Sequence, residues 1–131
     1  MAKVHAARAR ADQHFPRILG SGVRFAVGTD SMHGLMPYEL QTLVRVGVSP
    51  VQALLAATRQ ASAPPRVAAD CGTLEVGKRA DILVLDGDPL QDIRAVERVA
   101  LVVAGGRMFD PASLLDRPAG RVSQVREAIP E

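Results

Sequence analysis

The sequence is poor in aromatic residues and in cysteine. Of its 131 residues 3% are aromatic and none is tryptophan, so the hydrophobic core has to be built from aliphatic side chains. Cys71 is the only cysteine, which excludes a disulfide within the chain and fits a cytoplasmic protein. No apolar run approaches the roughly 20 residues that a membrane-spanning helix needs, so no membrane partner is expected.

An excess of charge of one sign is also missing. The formal net charge is +2, and basic residues are scattered from Lys3 to Arg126 without a run or interleaved aromatic residues. A nucleic-acid partner is therefore not expected. With 47% hydrophobic and 23% charged residues, the composition is typical of a globular protein.

Three segments carry helical patterns. Residues 2–19 have one apolar stripe at intervals of three and four, with Pro16 as an awkward interior residue. Residues 36–47 place Pro37 near the first turn and end at a glycine. Residues 48–58 begin with a capping box, in which Ser49 is the N-cap and Gln52 is its partner.

Strand patterns are few and lie mainly in the second half. Residues 23–27 form one short predicted strand, and Ile82–Leu85 form another. Residues 98–109 predict a β-hairpin with Gly105 and Gly106 at a type I′ turn. Acids around the Ile82–Leu85 strand, Asp81 and Asp88 among them, are predicted to serve turns rather than catalysis.

The first 70 residues thus contain a single predicted strand, which cannot form a sheet by itself. The alternation of helix, strand and helix is nevertheless an α/β pattern. Either another chain completes the sheet, or these residues belong to a larger protein.

The order of several motifs resembles a known family. The runs GVRFAVGTDS, ELQTLVRVGVSPVQALLAAT, GTLEVGKRADILVLDGDPLQDI and VVAGG follow one another between about residues 20 and 109. Together they resemble the C-terminal part of the metal-dependent amidohydrolase superfamily, in the branch of imidazolonepropionase-like enzymes and Xaa-Pro dipeptidases.

The resemblance implies an α/β fold made of two incomplete parts. Family members have a (β/α)8 barrel, or TIM barrel, with the active site at the C-terminal ends of its strands, and a composite β-sandwich. On this basis residues 1–68 correspond to the C-terminal end of the barrel. Residues 69–110 correspond to part of the sandwich, and residues 111–131 form a C-terminal tail.

The resemblance also assigns a role to Asp30, the acid that follows the predicted strand at residues 23–27. In the family this acid is a ligand of a divalent metal, commonly Zn²⁺, and acts as the general base. A metal lowers the pKa of water, and a nearby carboxylate accepts the proton as water attacks a carbonyl carbon. The alternative role for Asp30 is to cap a turn or helix. His33 lies in the same segment, and it is either a residue that contacts the substrate or an exposed loop histidine.

The chain departs from the family in its remaining metal ligands. The family takes a His-x-His pair and two further histidines from earlier strands, and no His-x-His occurs in this sequence. A catalytic zinc ion typically has three protein ligands, of which Asp30 supplies one. His5 and His14 lie on opposite sides of the predicted helix at residues 2–19, so they cannot share a metal there.

Two functions of different classes follow. In the first, the chain is the C-terminal segment of a metal-dependent hydrolase that acts on carbon–nitrogen bonds of small amides, cyclic amides or imidodipeptides. The isolated segment is then expected to be inactive without the missing barrel half. In the second, the chain is an inactive remnant or an association domain that self-associates through exposed apolar faces.

Overall fold

The computed structural model shows a mixed α/β chain. It describes residues 9–10, 13–15, 17–18, 21–29, 35–63 and 68–115. The main elements of this part of the chain are two helices and a three-stranded antiparallel sheet. No helix among the described residues is long and apolar enough to cross a membrane.

The N-terminal helix predicted at residues 2–19 is described only in short pieces. Residues 9–10, 13–15 and 17–18 are helical, in agreement with the apolar stripe. The remaining residues of this predicted helix, Pro16 and His5 among them, lie outside the described residues.

The strand predicted at residues 23–27 is an extended segment that pairs with no other strand in the described part of the chain. Phe25 and Val27 are half-buried whereas Arg24 and Ala26 are exposed, so the alternation that the sequence shows is real. A strand is defined by its hydrogen-bonded neighbour, and here the Val27 N–H donates to a helix residue, at 3.1 Å from the Ala56 carbonyl oxygen.

Helix α1 spans Met36–Arg45 and ends in a Schellman motif. The Val48 N–H donates to the Leu43 carbonyl oxygen at 3.0 Å, and the Gly47 N–H donates to that of Val44 at 3.1 Å. Gly47 takes a φ of +101°, which L-residues with a side chain rarely adopt. The helix end predicted at this glycine is therefore confirmed.

Helix α2 spans Pro50–Ala57 and starts at the predicted N-cap. The Gln52 N–H donates to the Ser49 hydroxyl oxygen, and the Ser49 N–H donates to the side-chain oxygen of Gln52. The capping box is thus confirmed. After the helix, Thr58 donates its hydroxyl to the Leu54 carbonyl oxygen at 2.8 Å.

The sheet has the order β1-β2-β3, with β1 at Ile82–Leu85, β2 at Val99–Ala104 and β3 at Arg107–Phe109. Both pairings are antiparallel, and Ala100 is skipped where Val84 faces Leu101 and Leu85 faces Val99. The predicted strand and hairpin are confirmed. Gly105 and Gly106 have φ values of +58° and +78°, as a type I′ turn requires.

Two short helices were not predicted. A 3-10 helix, η1, spans Ile93–Glu97, and helix α3 spans Pro111–Leu115 at the start of the predicted tail. The rest of the predicted tail, residues 116–131, lies outside the described residues.

The hydrophobic core joins the two halves of the sequence. The buried cluster contains residues of α1 and α2 and of the turn between them, and it also contains one residue of η1. Its members are Leu40, Leu43, Val48, Ala53 and Ile93. Helix α1 packs against α2 on one side and against η1 on another, so the second half of the chain directly supports the helical half.

Candidate functional site

The candidate site lies between the extended segment at residues 21–29 and helix α1. Asp30 and His33, the two predicted site residues, fall outside the described residues. The structure does describe both ends of the segment that carries them. These two ends determine where the chain enters and leaves the candidate site.

The upstream end is attached to helix α2. Phe25 and Val27 pack against the buried cluster, and the Val27 N–H donates to the carbonyl oxygen of Ala56. Ala56 is completely buried and lies in the last turn of α2, where carbonyl oxygens lack partners within the helix. The extended segment therefore satisfies one of these oxygens and holds its end against the core.

The downstream end is the first turn of helix α1. Its first backbone bond runs from the Glu39 N–H to the Leu35 carbonyl oxygen at 3.1 Å. Leu40 is 4% exposed, so the helix is held in the core one turn after it begins. Glu39 lies in the first turn, where the partial positive charge of the helix N-terminus favours an acid.

A complete metal site is not formed by the residues that the structure describes. Within those ranges no group of three or more His, Cys, Asp or Glu side chains is arranged to hold a metal ion. His14 is exposed on the N-terminal helical segment, and His5 lies outside the described residues. The described donors alone thus do not fit the divalent metal that the family resemblance implies.

The acids of the second half serve local structure, as predicted. The Asp81 carboxylate accepts the Gly105 N–H at 2.7 Å and the Arg79 Nε–H at 2.6 Å. The Gly105 N–H, and secondarily the Arg79 guanidinium, lower the pKa of Asp81. The Asp88 carboxylate accepts the Leu90 N–H at 2.8 Å, which is a turn-forming bond.

Lys78 likewise belongs to a small local network. Its ammonium group donates to the Thr73 hydroxyl at 2.6 Å and lies 3.6 Å from the Glu75 carboxylate. The Thr73 hydroxyl, and secondarily Lys78, lower the pKa of Glu75. Gly77 in the turn before Lys78 has a φ of +91°.

One contact between the two halves of the chain was missed at the level of sequence. The Gln41 side-chain N–H donates to the Glu97 carboxylate at 2.7 Å, across 56 positions of the sequence, and so links α1 to η1. No short-range pattern signals such a pair. The one available signal is that Gln41 lies on a helix face next to the core, where a polar side chain is expected to find a partner on another element.

Three known proteins show what this chain is similar to. It is 37% identical over 113 residues to an ochratoxinase of Aspergillus niger, and 29% identical over 108 residues to an imidazolonepropionase of Brevibacillus brevis. Its structure matches that of A. niger ochratoxinase with a TM-score of 0.72 and 34% identity. It matches that of a Xaa-Pro dipeptidase with bound methionine with a TM-score of 0.71 and 29% identity.

These matches cover most of this chain and a small part of each relative. The sequence match to the ochratoxinase covers 78% of this chain and 23% of the ochratoxinase. The match to the imidazolonepropionase covers 70% of this chain and 26% of that enzyme. The structural matches extend over 83% and 76% of this chain, and over 26% and 25% of the ochratoxinase and dipeptidase chains. The chain therefore spans about a quarter of the length of these relatives.

The family model for the amidohydrolase family matches residues 7–109. That range begins before the extended segment at residues 21–29 and ends at the last strand of the sheet, so it includes both ends of the candidate site. The resemblance drawn from the sequence motifs is confirmed, and it extends further toward the N-terminus than those motifs indicated. The chain belongs to the amidohydrolase family.

Proposed function

We propose that this chain supplies Asp30 to a metal-dependent hydrolase that acts on carbon–nitrogen bonds of small amides, cyclic amides or imidodipeptides. The observation that carries the proposal is the family match across residues 7–109, because it includes the segment of Asp30. A cytoplasmic location accompanies this proposal.

The chemistry assigned to this chain is proton transfer at the Asp30 carboxylate. Asp30 accepts a proton as water attacks the carbonyl carbon and returns it to the leaving nitrogen. A bound divalent metal, with Zn²⁺ as the expected ion, would activate the water and polarise the carbonyl group. Asp30 would be one ligand, and the remaining ligands would come from outside this chain.

The proposed domain organisation follows from the correspondence between this chain and the barrel and sandwich of the family. Residues 1–68 form the C-terminal end of the barrel, residues 69–110 form part of the composite sandwich, and residues 111–131 form a tail. In this organisation the partner of the chain is the barrel half that it lacks. His33 is placed near the substrate because it lies three positions after Asp30 in the same segment.

A chimera with the ochratoxinase tests the role of Asp30. The aligned 113-residue segment of that enzyme is replaced by the corresponding residues of this chain, and hydrolysis of the enzyme's own substrate is measured. We expect the chimera to be active and the Asp30→Asn variant to lose about 10²–10⁴-fold in kcat, which is the usual contribution of a general base. Loss of bound metal in Asp30→Asn would show that Asp30 is also a ligand.

Control variants distinguish the proposed roles of Asp30 and His33 from a general loss of folding or stability. Asp70→Asn removes an exposed acid of the second half and should leave activity unchanged. His33→Ala should raise KM, whereas His14→Ala, which changes an exposed histidine, should not. A folded, metal-loaded chimera that is inactive, or is equally active with Asp30→Asn, would contradict the proposal.

The alternative function is that of an inactive association domain. The observation that favours it is the apolar surface of the sheet edge, where Leu83 and Val84 of β1 are 59% and 44% exposed. An unpaired edge strand with apolar side chains favours contact with another chain. Self-association of the isolated chain in light scattering, together with an inactive but folded chimera, would favour this alternative.

A further inference from the structure

We infer that strand β1 pairs antiparallel with β1 of a second copy of this chain, so that two three-stranded sheets join into one. The inference concerns the edge of the sheet and does not rest on the proposed hydrolase function. Within the described residues, β1 pairs with β2 on one side and with no strand on the other. The outer side of Ile82–Leu85 is therefore an open edge.

The first observation is that β1 is apolar and exposed on both faces of the sheet. Leu83 lies beside Val102 of β2 and Val84 lies beside Leu101, so the two side chains of β1 point to opposite faces. They are 59% and 44% exposed. A body packed on one face would leave one of them in water, whereas a strand added at the edge lies next to both.

The second observation is that the two edges of the sheet differ. The β3 edge is three residues long, begins with Arg107 and is followed by Asp110. Natural sheets block pairing at an edge with short strands and charged side chains, and the four residues of β1 carry no charge. Pairing of β1 with itself is isologous and uses the open edge of both copies. The assembly therefore closes as a dimer instead of growing into a filament.

Symmetry restricts the register of this pairing. Residues directly opposite each other in an antiparallel pair lie on the same face, so the twofold axis passes beside one residue of β1. With the axis at Leu83, this residue faces its own counterpart and Ile82 faces Val84 of the second copy. With the axis at Val84, Ile82 would face the carboxylate of Asp86 instead. The apolar pairs thus favour the axis at Leu83.

Charge at the two ends of β1 favours the same register. An antiparallel pairing sets the residues before β1 next to the residues after β1 of the other copy. With the axis at Leu83, Arg79 comes opposite residue 87 of the second copy, between the exposed acids Asp86 and Asp88. The Arg79 side chain is 62% exposed and is bonded to Asp81 through its Nε–H, so its terminal N–H groups can donate to these acids. The second copy is therefore the occupant that matches this edge in both shape and charge.

Size-exclusion chromatography with light scattering on the 131-residue chain tests the pairing. The mass should rise with protein concentration from that of the chain toward twice its 13.9 kDa. Leu83→Lys sets two ammonium groups opposite each other and should raise the dissociation constant of the dimer at least about tenfold. Leu90→Lys places the same charge on a 51% exposed leucine outside the sheet and should leave the dimer unchanged.

Cross-linking tests the register and does not depend on how well the lysine variant folds. In a Cys71→Ser background, Leu83→Cys should form a disulfide between two copies when oxidised glutathione is added, because directly opposite Cβ atoms lie close enough for one. Val84→Cys is the matched control. Its counterpart is displaced diagonally, at about 7–8 Å, so it should cross-link much less.

Three outcomes would overturn the inference. A monomer at every concentration would leave the edge to a segment of a different chain, such as the missing barrel half. A dimer that Leu83→Lys does not weaken would use another surface. Assemblies larger than a dimer would show that the β3 edge is not blocked. Cross-linking of Val84→Cys as readily as Leu83→Cys would overturn the register with the axis at Leu83.

Discussion

Asp81 shows how a single exposed carboxylate can organise the start of a sheet. It receives the N–H of Gly105 from the hairpin turn and the Nε–H of Arg79 from its own segment. A further bond, from the Gly106 N–H to the Ala80 carbonyl oxygen at 2.9 Å, ties the same turn to the residue before Asp81. The acid thus connects the beginning of β1 to the turn between β2 and β3.

The lowered pKa of Asp81 predicts a pH-dependent contribution to stability. Since the folded state holds this carboxylate ionised, its contribution is present above the unfolded pKa and is lost as the pH falls through the folded pKa. Asp81→Asn should therefore reduce stability most at neutral pH, and its difference from the wild type should shrink in acid. Urea unfolding of both proteins across the acid range measures this difference.

Arg79→Met provides the comparison for Asp81. It removes the ion pair but leaves the N–H of Gly105, which is the larger cause of the lowered pKa of Asp81. This variant should keep the part of the pH dependence that comes from the Gly105 N–H, which Asp81→Asn loses. A stability difference between Asp81→Asn and the wild type that is the same at every pH would contradict the assignment.

Individual residues also show the limit of what sequence can predict. The turn role of Asp81 followed from its residue type and neighbours, but its bond to Gly105, 24 positions away, did not. Gly72 is a similar case: it has a φ of +92°, and a Cβ placed there would lie 2.5 Å from the Ser62 hydroxyl oxygen. Both features depend on segments that are distant in sequence and close in space, and a local sequence pattern carries no information about them.

At the scale of elements, the N-terminus of α2 is determined by its own sequence. Ser49, Pro50 and Gln52 predicted its first residue correctly, because a capping box satisfies orphan N–H groups within four positions. The short helix α3 carries a comparable signal that was overlooked. Asp110 precedes Pro111 and accepts the Ala112 N–H at 3.1 Å, the arrangement expected at a helix start.

The capping box yields a prediction for α2. Ser49→Ala removes the acceptor for the Gln52 N–H and should lower the free energy of unfolding by about 1 kcal/mol. Gln52→Ala removes the reciprocal bond at 3.4 Å but leaves the Ser49 hydroxyl as acceptor for the backbone N–H of residue 52, and should cost less. Chemical unfolding followed by circular dichroism would compare them, and equal stability of Ser49→Ala and the wild type would argue against an energetic role for the cap.

The extended segment at residues 23–27 shows why element type could not be settled from sequence. Its alternation of half-buried and exposed residues is that of a strand, and this much was read correctly. Pairing requires a neighbour, and within the described ranges the segment is bonded to a helix end instead. The residue types therefore predicted the extended backbone of the segment, but not what lies beside it.

At the scale of the whole molecule, the two halves share one core. The sequence predicted a boundary between residues 68 and 69 from a change in composition and from the family resemblance, and this boundary stays a prediction. The buried cluster nevertheless includes Ile93 from the second half, and Gln41 is bonded to Glu97 across the same junction. These contacts link the helices to η1, and η1 in turn contacts β1 of the sheet.

Ile93→Ala tests this dependence. Because Ile93 is 8% exposed and packs against the residues of α1, its truncation should lower the free energy of unfolding by about 2–5 kcal/mol. The loss should appear in the unfolding of the helices and of the sheet together, since η1, which carries Ile93, contacts both α1 and β1. Hydrogen exchange resolved to α1 and to β2 would follow the two parts in one experiment, with Leu90→Ala, which truncates a 51% exposed side chain of the same half, as the control. If Ile93→Ala weakened only the sheet and left α1 unchanged, residues 69–110 would unfold as a separate unit and the shared core would carry little energy.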